Sequence, residues 1–328
     1  MTRFPRRVVR WSSDAALFGA ALLALAGLAA ERSEVFDFVN HFAPLWAAIG
    51  LLSGVLSLIP PPPTGRTLRA GAVALVLLGA GVRLGPELVA ASRVREPAVG
   101  PVVRLVQFNA YKGNREPEAA ARWLLRQQAD ILVLEEVPVG SPLREALAGR
   151  YPHVVGCLAR ARCSTLIFSR RRPLATGSLS GVDPENRRSL SAAWATFAGP
   201  AGRYSVVAVH LSRPWPWGVA YDEIGIVARF LDSMDRRTAI VAGDFNRAPW
   251  SQALSDVDRR LGLPRATRAL ATWPVRAGGL RLLPLLPIDH VYAGRDWAIR
   301  DVRRGPASLG SDHLPVVVTL GVDARARP

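Results

Sequence analysis

Six short stretches of this 328-residue chain carry acids, amides and histidines at the ends of apolar runs. Asn109 closes Val102–Phe108, and Glu136 follows Ile131–Leu134. His210 stands near the end of Tyr204–Leu211, and Gly243-Asp244-Phe245-Asn246 follows Thr238–Ala242. Asp289 lies within Pro287-Ile288-Asp289-His290-Val291, and Gly310-Ser311-Asp312-His313-Leu314-Pro315 leads into the last run, Pro315–Leu320. Side chains that punctuate strand ends in this way point to a cleft at one edge of the sheets. Carboxylates gathered there are costly unless they are paired or bound to a metal. Oxygen donors joined by an asparagine, with no thiolate, favour a hard cation, Mg²⁺ or Mn²⁺, over zinc. A hard cation beside an acid–histidine pair suits hydrolysis of a phosphate ester, because the ion neutralises phosphoryl oxygens while a polarised water attacks.

Each residue also has a plainer reading. Asp244 alone is a turn acid, since Asp and Asn favour turns; with Asp312-His313 in the same chain the catalytic reading prevails. Asn109 fits a strand-end cap equally well. His290 and His153 read as surface or core histidines rather than ligands. Lys112 and Asn114, in Tyr-Lys-Gly-Asn, read as a turn ahead of a phosphate contact. Trp215 and Trp217 flank Pro216 and suit a membrane interface or a stacking platform, although packing onto the domain is the simpler role.

These residues need a layered scaffold. Besides the runs above, Ser164–Ser169 and Ser191–Phe197 read as strands. Helices are expected at Glu116–Gln128, with Pro117 harmless in the first turn, and at Ser141–Gly149, Ala220–Met234 and Ser251–Leu261. Strands outnumber helices and several are adjacent, so an α+β domain with mixed sheets is expected rather than a strict βαβ repeat. No internal repeat is visible.

The composition adds a second part. Nearly half the residues are hydrophobic and 21% are charged, which excludes a disordered chain. Two cysteines exclude a disulfide-dense scaffold. The apolar excess lies in the first hundred residues, as Ala15–Ala30, Phe42–Ile59 and Leu68–Val82, the last reaching Ala91 if Arg83 and Glu87 are tolerated. A membrane span needs about 20 mostly apolar residues, so three transmembrane helices are expected. Arg3, Arg6, Arg7 and Arg10 precede the first run, while Glu31, Glu34 and Asp37 outnumber Arg32 after it; Arg66 and Arg69 flank the Pro60–Pro63 turn. Positive residues stay cytoplasmic, which puts everything after Ala91 outside in a multi-pass cell-membrane protein. The expected organisation is an anchor over 1–91, a linker over 92–101, a folded domain over 102–320 and a polar tail over 321–328. A disulfide between Cys157 and Cys163 would suit an oxidising compartment; two unpaired core cysteines fit equally well. The net charge is +16, of which the chain beyond residue 100 carries +12. That suits nucleic acid or anionic lipid as well as a plain solvated surface.

The motifs Val106–Asn109, Leu134-Glu135-Glu136-Val137, Val209-His210-Leu211, Gly243-Asp244-Phe245-Asn246, Ile288-Asp289-His290 and Gly310-Ser311-Asp312-His313-Leu314-Pro315 fall in the order of the endonuclease/exonuclease/phosphatase superfamily. The chain resembles that superfamily from about residue 102 to 320. With its amino-terminal spans, it is similar to the membrane-attached bacterial branch that includes proteins associated with teicoplanin resistance. The resemblance implies a DNase I-like four-layer α/β sandwich, two mixed β-sheets flanked by helices. It implies Glu136 as principal metal ligand, helped by Asn109 and Asp312. Asp244 would orient or deprotonate the attacking water, and Asn246 would hold a phosphoryl oxygen. His313 would contact the scissile phosphate or act in proton transfer, with Asp289 fixing its tautomer, and His210 would be the second catalytic histidine, as general acid toward the leaving group. Two departures stand out: Glu135 occupies a position usually held by glutamine, and His210-Leu211-Ser212 differs from the loop of the abasic-site enzymes.

The expected activity is therefore Mg²⁺- or Mn²⁺-dependent hydrolysis of a phosphate ester, on a lipid-linked substrate at the membrane or on nucleic acid, with no obligate protein partner. A non-catalytic envelope protein that binds a lipid or antibiotic is the contrasting expectation, disfavoured because a binder has no need to hold this many acids together.

Overall fold

Period-two alternation along the strands decides which side chains meet. In the strand Val99–Asn109 (β1), Val103 and Leu105 join one buried cluster while Val106 and Phe108 join another. A strand buried on both faces belongs in the middle of a layered domain. The computed structural model describes residues 3–57, 65–93, 99–156, 165–179, 190–200, 202–214, 219–277 and 279–323. The Pro60–Pro63 turn, Cys157, Cys163, Trp215, Trp217, linker residues 94–98 and tail residues 324–328 lie outside them.

Two units make up the chain, Met1–Arg93 with Ala248–Ser255, and Val94–Arg247 with Asp256–Pro328. In the second, β1 pairs in parallel with Ile131–Glu135 (β2), which pairs antiparallel with Thr165–Ser169 (β4), and His153–Gly156 (β3) closes that edge. On its other side β1 pairs antiparallel with Val316–Val322 (β13), and Trp297–Arg304 (β12) closes the sheet. The other sheet runs Asp289–Ala293 (β11), Ile240–Asp244 (β8), Gly202–His210 (β7), Ser191–Gly199 (β6), Ala175–Ser178 (β5). Its β7–β8 pair is parallel and the rest antiparallel, so both sheets are mixed.

Between the sheets Leu105, Ile131, Val133 and Ile167 meet Ala193, Ala195, Val206, Ala208, Ile240 and Ala242. The small residues on the second sheet let the two layers approach. Helices Pro117–Arg126 (α5) and Pro142–Ala148 (α6) cover the outer face of the first sheet, packing Ala120, Leu124, Leu143 and Leu147 on Phe108, Leu132, Leu134 and Phe168. On the outer face of the second sheet, Phe230 of Val219–Leu231 (α7) meets Trp194, and Asp258 of Gln252–Leu261 (α8) accepts from Tyr292 Oη. This is the four-layer α/β sandwich expected from the sequence. Strands β5 and β12, and the two-residue strands Arg276–Ala277 (β9) and Leu280–Arg281 (β10), have no counterpart in the sequence reading, because their polar residues hide the alternation.

The first unit holds helices Arg3–Leu28 (α1), Glu34–Phe38 (α2), Ala43–Ser57 (α3) and Arg66–Ser92 (α4). Three segments, Val8–Leu28, Glu34–Ser57 and Arg66–Ser92, are long and apolar enough to cross a membrane. The second begins eight residues before the apolar run at Phe42, and the third continues through Arg83. Arg83 is accommodated because its Nε and Nη2 donate to Gly27 O (3.1 and 2.7 Å) in the last turn of α1, where helix carbonyls lack partners. Asp14 and Arg69 form a two-pronged ion pair between α1 and α4 (2.7 and 2.6 Å). At Gly50 a Cβ would sit 2.8 Å from Ala20 Cβ and 2.9 Å from Val76 Cγ2, so only glycine lets the three helices close there.

Replacing Phe168, wholly buried between β4 and the α5–α6 layer, with alanine is expected to destabilise the folded domain by about 3–5 kcal/mol. Leu174→Ala, at an exposed position, is expected to change it by less than about 0.5 kcal/mol. Denaturant unfolding of the purified chain checks both.

Candidate active site

The inward-facing rows of the sandwich change character toward one end. On β1 the row Val103, Leu105 continues into Gln107 and Asn109, and on β2 Ile131, Val133 continues into Glu135. On the second sheet Val206, Ala208 lead to His210; Ile240, Ala242 lead to Asp244; and Val291 precedes back to Asp289. Register then sets these groups side by side: Asn109 opposite Glu135, and His210, Asp244 and Asp289 in one line across three strands.

Two amides join the rows across the sandwich. Gln107 Nε2 donates to Asp289 Oδ1 (2.8 Å) and to Glu135 Oε2 (3.0 Å). Asn109 Nδ2 donates to Asp244 Oδ2 (3.0 Å). The Gly310–Pro315 loop docks through Ser311, whose Oγ donates to Asn109 O (2.7 Å) and accepts from His313 N (3.0 Å). His313 Nδ1 then lies 2.9 Å from Asp289 Oδ2, and its Nε2 lies 3.7 Å from Asp244 Oδ2. His210 Nε2 approaches the same oxygen at 3.8 Å.

Glu136 leaves β2 at φ +56° and Asn246 leaves β8 at φ +53°, a region that non-glycine residues seldom occupy and that recurs at functional sites. Glu136 Oε1 stands 3.5 Å from Asn109 Nδ2, and Oε2 accepts from Lys112 N (3.2 Å). Asn246 N donates to Asp244 Oδ1 (2.8 Å) and its Nδ2 to Leu211 O (2.9 Å). Gly243 allows this path: a Cβ there would fall 1.7 Å from Val209 O. Asp312 Oδ2 accepts from Trp273 Nε1 (3.0 Å), and Asp312 lines a cavity of about 580 Å³ with Tyr111, Gly113, Arg115, Arg276, Ala277, Gly279 and Gly310.

Burial raises the Asp244 carboxyl above its usual range, with Asp289 adding like charge and the histidines opposing. Burial alone would also raise Asp289, but the His313 charge and hydrogen bonds from His313, Thr272 and Gln107 outweigh it and hold the carboxyl below its usual value. For His313, burial favours the neutral ring, yet Asp289 and Asp244 overcome it and push the imidazole up to about 9. Glu135 is driven well above the carboxylate range, first by burial and then by Asp289 and Asp244.

Glu135, Glu136, Asp244, Asp289 and Asp312 thus crowd one end of the sandwich. Among the described residues, none of the five has a lysine or arginine within ion-pairing distance; histidines 210 and 313 are their basic partners. An oxygen-rich, undercompensated pocket of this kind fits a hard divalent cation. Ligand atoms of Asp244, Asp289 and His313 lie within 4.8 Å of one another. That trio differs from the expected ligands Glu136, Asn109 and Asp312. Asp289 and His313 are already bonded to each other, whereas each hydrogen bond to the Glu136 and Asp312 oxygens comes from a neutral donor.

Gln107, Ser311, Glu223 and Arg247 carry no signal of their own in the sequence. Gln107 lies inside β1, and Ser311 inside the Gly310–Pro315 motif. Glu223 of α7 accepts from Ser212 N and Oγ (both 2.7 Å), and Arg247 Nη1 donates to Ser212 O (3.1 Å), so both brace the loop after His210. His290 is a core histidine, bonded to Thr267 Oγ1 and Arg247 O. Asn114 ties the turn, as expected, through Ala110 O and Leu309 O.

The Endonuclease/Exonuclease/phosphatase family profile matches residues 106–313. No curated protein matches the chain in sequence. Among solved structures the chain is similar to an endonuclease/exonuclease/phosphatase from Beutenbergia cavernae (TM-score 0.51, 23% identity, 68% of this chain and 72% of that one). It is also similar to the human Nocturnin catalytic domain with bound sulfate anion (0.55, 17%, 70% and 98%). A third likeness is to Sphingomyelinase C from Streptomyces griseocarneus (0.50, 16%, 67% and 99%). At these identities the structural likenesses establish the fold.

Because His313 is raised in the folded protein, its charge contributes stability that is complete below about pH 6.5, the free imidazole value, and is lost as pH rises through about 9. The metal-free chain is expected to lose thermal stability across that window. Asp289→Asn, which removes the largest favourable charge, should flatten the loss; equal slopes for the two proteins would contradict the assignment.

Proposed function

This chain belongs to the endonuclease/exonuclease/phosphatase family, hydrolases that act on phosphoester bonds, and on that premise we propose a membrane-anchored, divalent-metal-dependent phosphoesterase with its site on the extracytoplasmic side. The observation that carries the proposal is the hydrogen-bonded line Asp289–His313 beside Asp244, tied to Asn109 at the polar end of the sandwich.

Glu136, with Asn109 and Asp312, would hold Mg²⁺ or Mn²⁺. A cation held there neutralises phosphoryl oxygens and polarises the bond to be broken. Asp244, raised above an ordinary aspartate, is the stronger base for orienting and deprotonating the attacking water. Asn246, with one amide hydrogen on Leu211 O, has the other for a phosphoryl oxygen. His313, cationic at neutral pH and oriented by Asp289, places positive charge against the scissile phosphate. His210, across Asp244, is positioned as the acid toward the leaving group.

The nuclease reading shares this chemistry and is favoured by the +12 charge beyond residue 100. It requires cleavage of DNA or RNA with affinity that falls steeply as salt rises. The membrane reading draws on the three candidate spans and on the arginines before the first.

Assayed against phospholipid, lipid-linked phosphate and nucleic acid substrates, the chain is expected to show Mg²⁺- or Mn²⁺-dependent release. His313→Ala should lower the rate by about 10²–10⁴-fold, and Glu136→Ala should abolish the metal-dependent release. Activity that survives both changes would dismiss the site assignment. A reporter fused after Ala91 is expected to read as external; a cytoplasmic reading would overturn the topology.

A further inference from the structure

Among the described residues of the second unit, eight large hydrophobic side chains are exposed, and four of them fall within six consecutive positions: Leu280, Leu282, Leu283 and Leu285. The other four, Val102, Tyr111, Val139 and Leu174, are scattered along the sequence. Leu283 is 85% exposed. Single exposed hydrophobics are ordinary, whereas a contiguous row is characteristic of an interaction surface.

The segment is built rather than loose. β9 and β10 pair with each other outside both main sheets, Ala277 opposite Leu280 and Arg276 opposite Arg281. Leu282 N donates to Val275 O (2.9 Å), while Leu285 N and Leu286 N donate to Trp273 O (3.0 and 2.7 Å). Trp273 in turn holds Asp312 (3.0 Å), and Leu286 is buried. The backbone thus presents the leucines outward while fixing their base to the site. Arg281 is exposed within the apolar row, and Arg276 of the same ribbon lines the cavity beside Asp312 together with Arg115.

We propose that Leu280–Leu285 is a lipid-contacting loop that seats in the headgroup–acyl boundary of an anionic bilayer, with Arg281 among the lipid phosphates. Leucines interleaved with arginine match that boundary, where apolar side chains enter the acyl region and guanidinium groups stay with the headgroups. A chain with three segments apolar and long enough to cross a membrane has a bilayer at hand as its apolar partner. Docked in this way, the loop puts the Asp312 cavity beside the headgroups, so a phosphate ester carried on a lipid is the substrate class the site would meet. This last clause rests on the phosphoesterase reading; the lipid contact does not.

The test uses the full chain with Cys157→Ser, Cys163→Ser and Leu283→Cys, carrying an environment-sensitive fluorophore and reconstituted into phosphatidylglycerol–phosphatidylcholine vesicles. The expected result is a blue-shifted emission quenched by acyl-chain nitroxide lipids, weaker when phosphatidylglycerol is omitted. Quenching by aqueous iodide alone, or crosslinking of position 283 to a second copy without lipid quenching, overturns the proposal. In the same vesicles, Leu280→Asp with Leu283→Asp is expected to raise KM for a lipid-borne phosphodiester by about tenfold while leaving kcat/KM for a water-soluble aryl phosphodiester unchanged; equal loss on both substrates would mean that the loop serves the fold instead. Failure of the phosphoesterase reading shows separately, as hydrolysis of neither substrate by the unaltered chain.

Discussion

Five carboxylates share one end of a sandwich whose remaining interior is apolar, and two imidazoles are the bases they face. Holding that much acid together, with Glu135, Asp244 and Asp289 fully buried, is the demand on which the rest of the domain is arranged. Gln107 and Asn109 meet part of it by donating across the gap between sheets, to Asp289 and Asp244 respectively, and Gln107 also donates to Glu135 on the neighbouring strand. His313 meets another part by taking a proton well above the usual imidazole range. The remainder suits a divalent cation, which supplies the charge that the side chains lack.

Glu135 shows how the arrangement tolerates a departure. It stands where the sequence resemblance places a glutamine, it is wholly buried, and one of its oxygens has no hydrogen-bond partner. Burial, and after it the charges of Asp289 and Asp244, raise its carboxyl well above the carboxylate range, the direction that favours the neutral acid. A neutral carboxylic acid has nearly the size and donor–acceptor character of a glutamine amide. In that neutral form Glu135 keeps the shape of the site without adding another negative charge.

Legibility in the sequence followed physical range. Strands such as Ile131–Glu135 and Ile240–Asp244 announce themselves because every residue is buried, and Asp244 and Asp312-His313 stand out because acids at strand ends need a purpose. β12 stayed hidden because half its residues face solvent, and Gln107 because an amide within a strand looks unremarkable until the opposite sheet is in place. Arg83 made the third apolar run look short, since its partner, Gly27 O, is 56 positions away. Likewise the meeting of Asp244, Asp289 and His313 is set by register between two strands and by the Ser311 loop that docks on Asn109, which spacing along the chain does not encode.

The cation is the link between crowding and chemistry, so its binding is the most direct measurement. Titration of Mn²⁺ into the metal-free full chain, followed by electron paramagnetic resonance, is expected to show ion uptake at a protein site that raises the unfolding temperature and is lost in Glu136→Ala. Free Mn²⁺ throughout a millimolar titration, or uptake indifferent to Glu136, would contradict the claim that these acids are gathered to hold a metal.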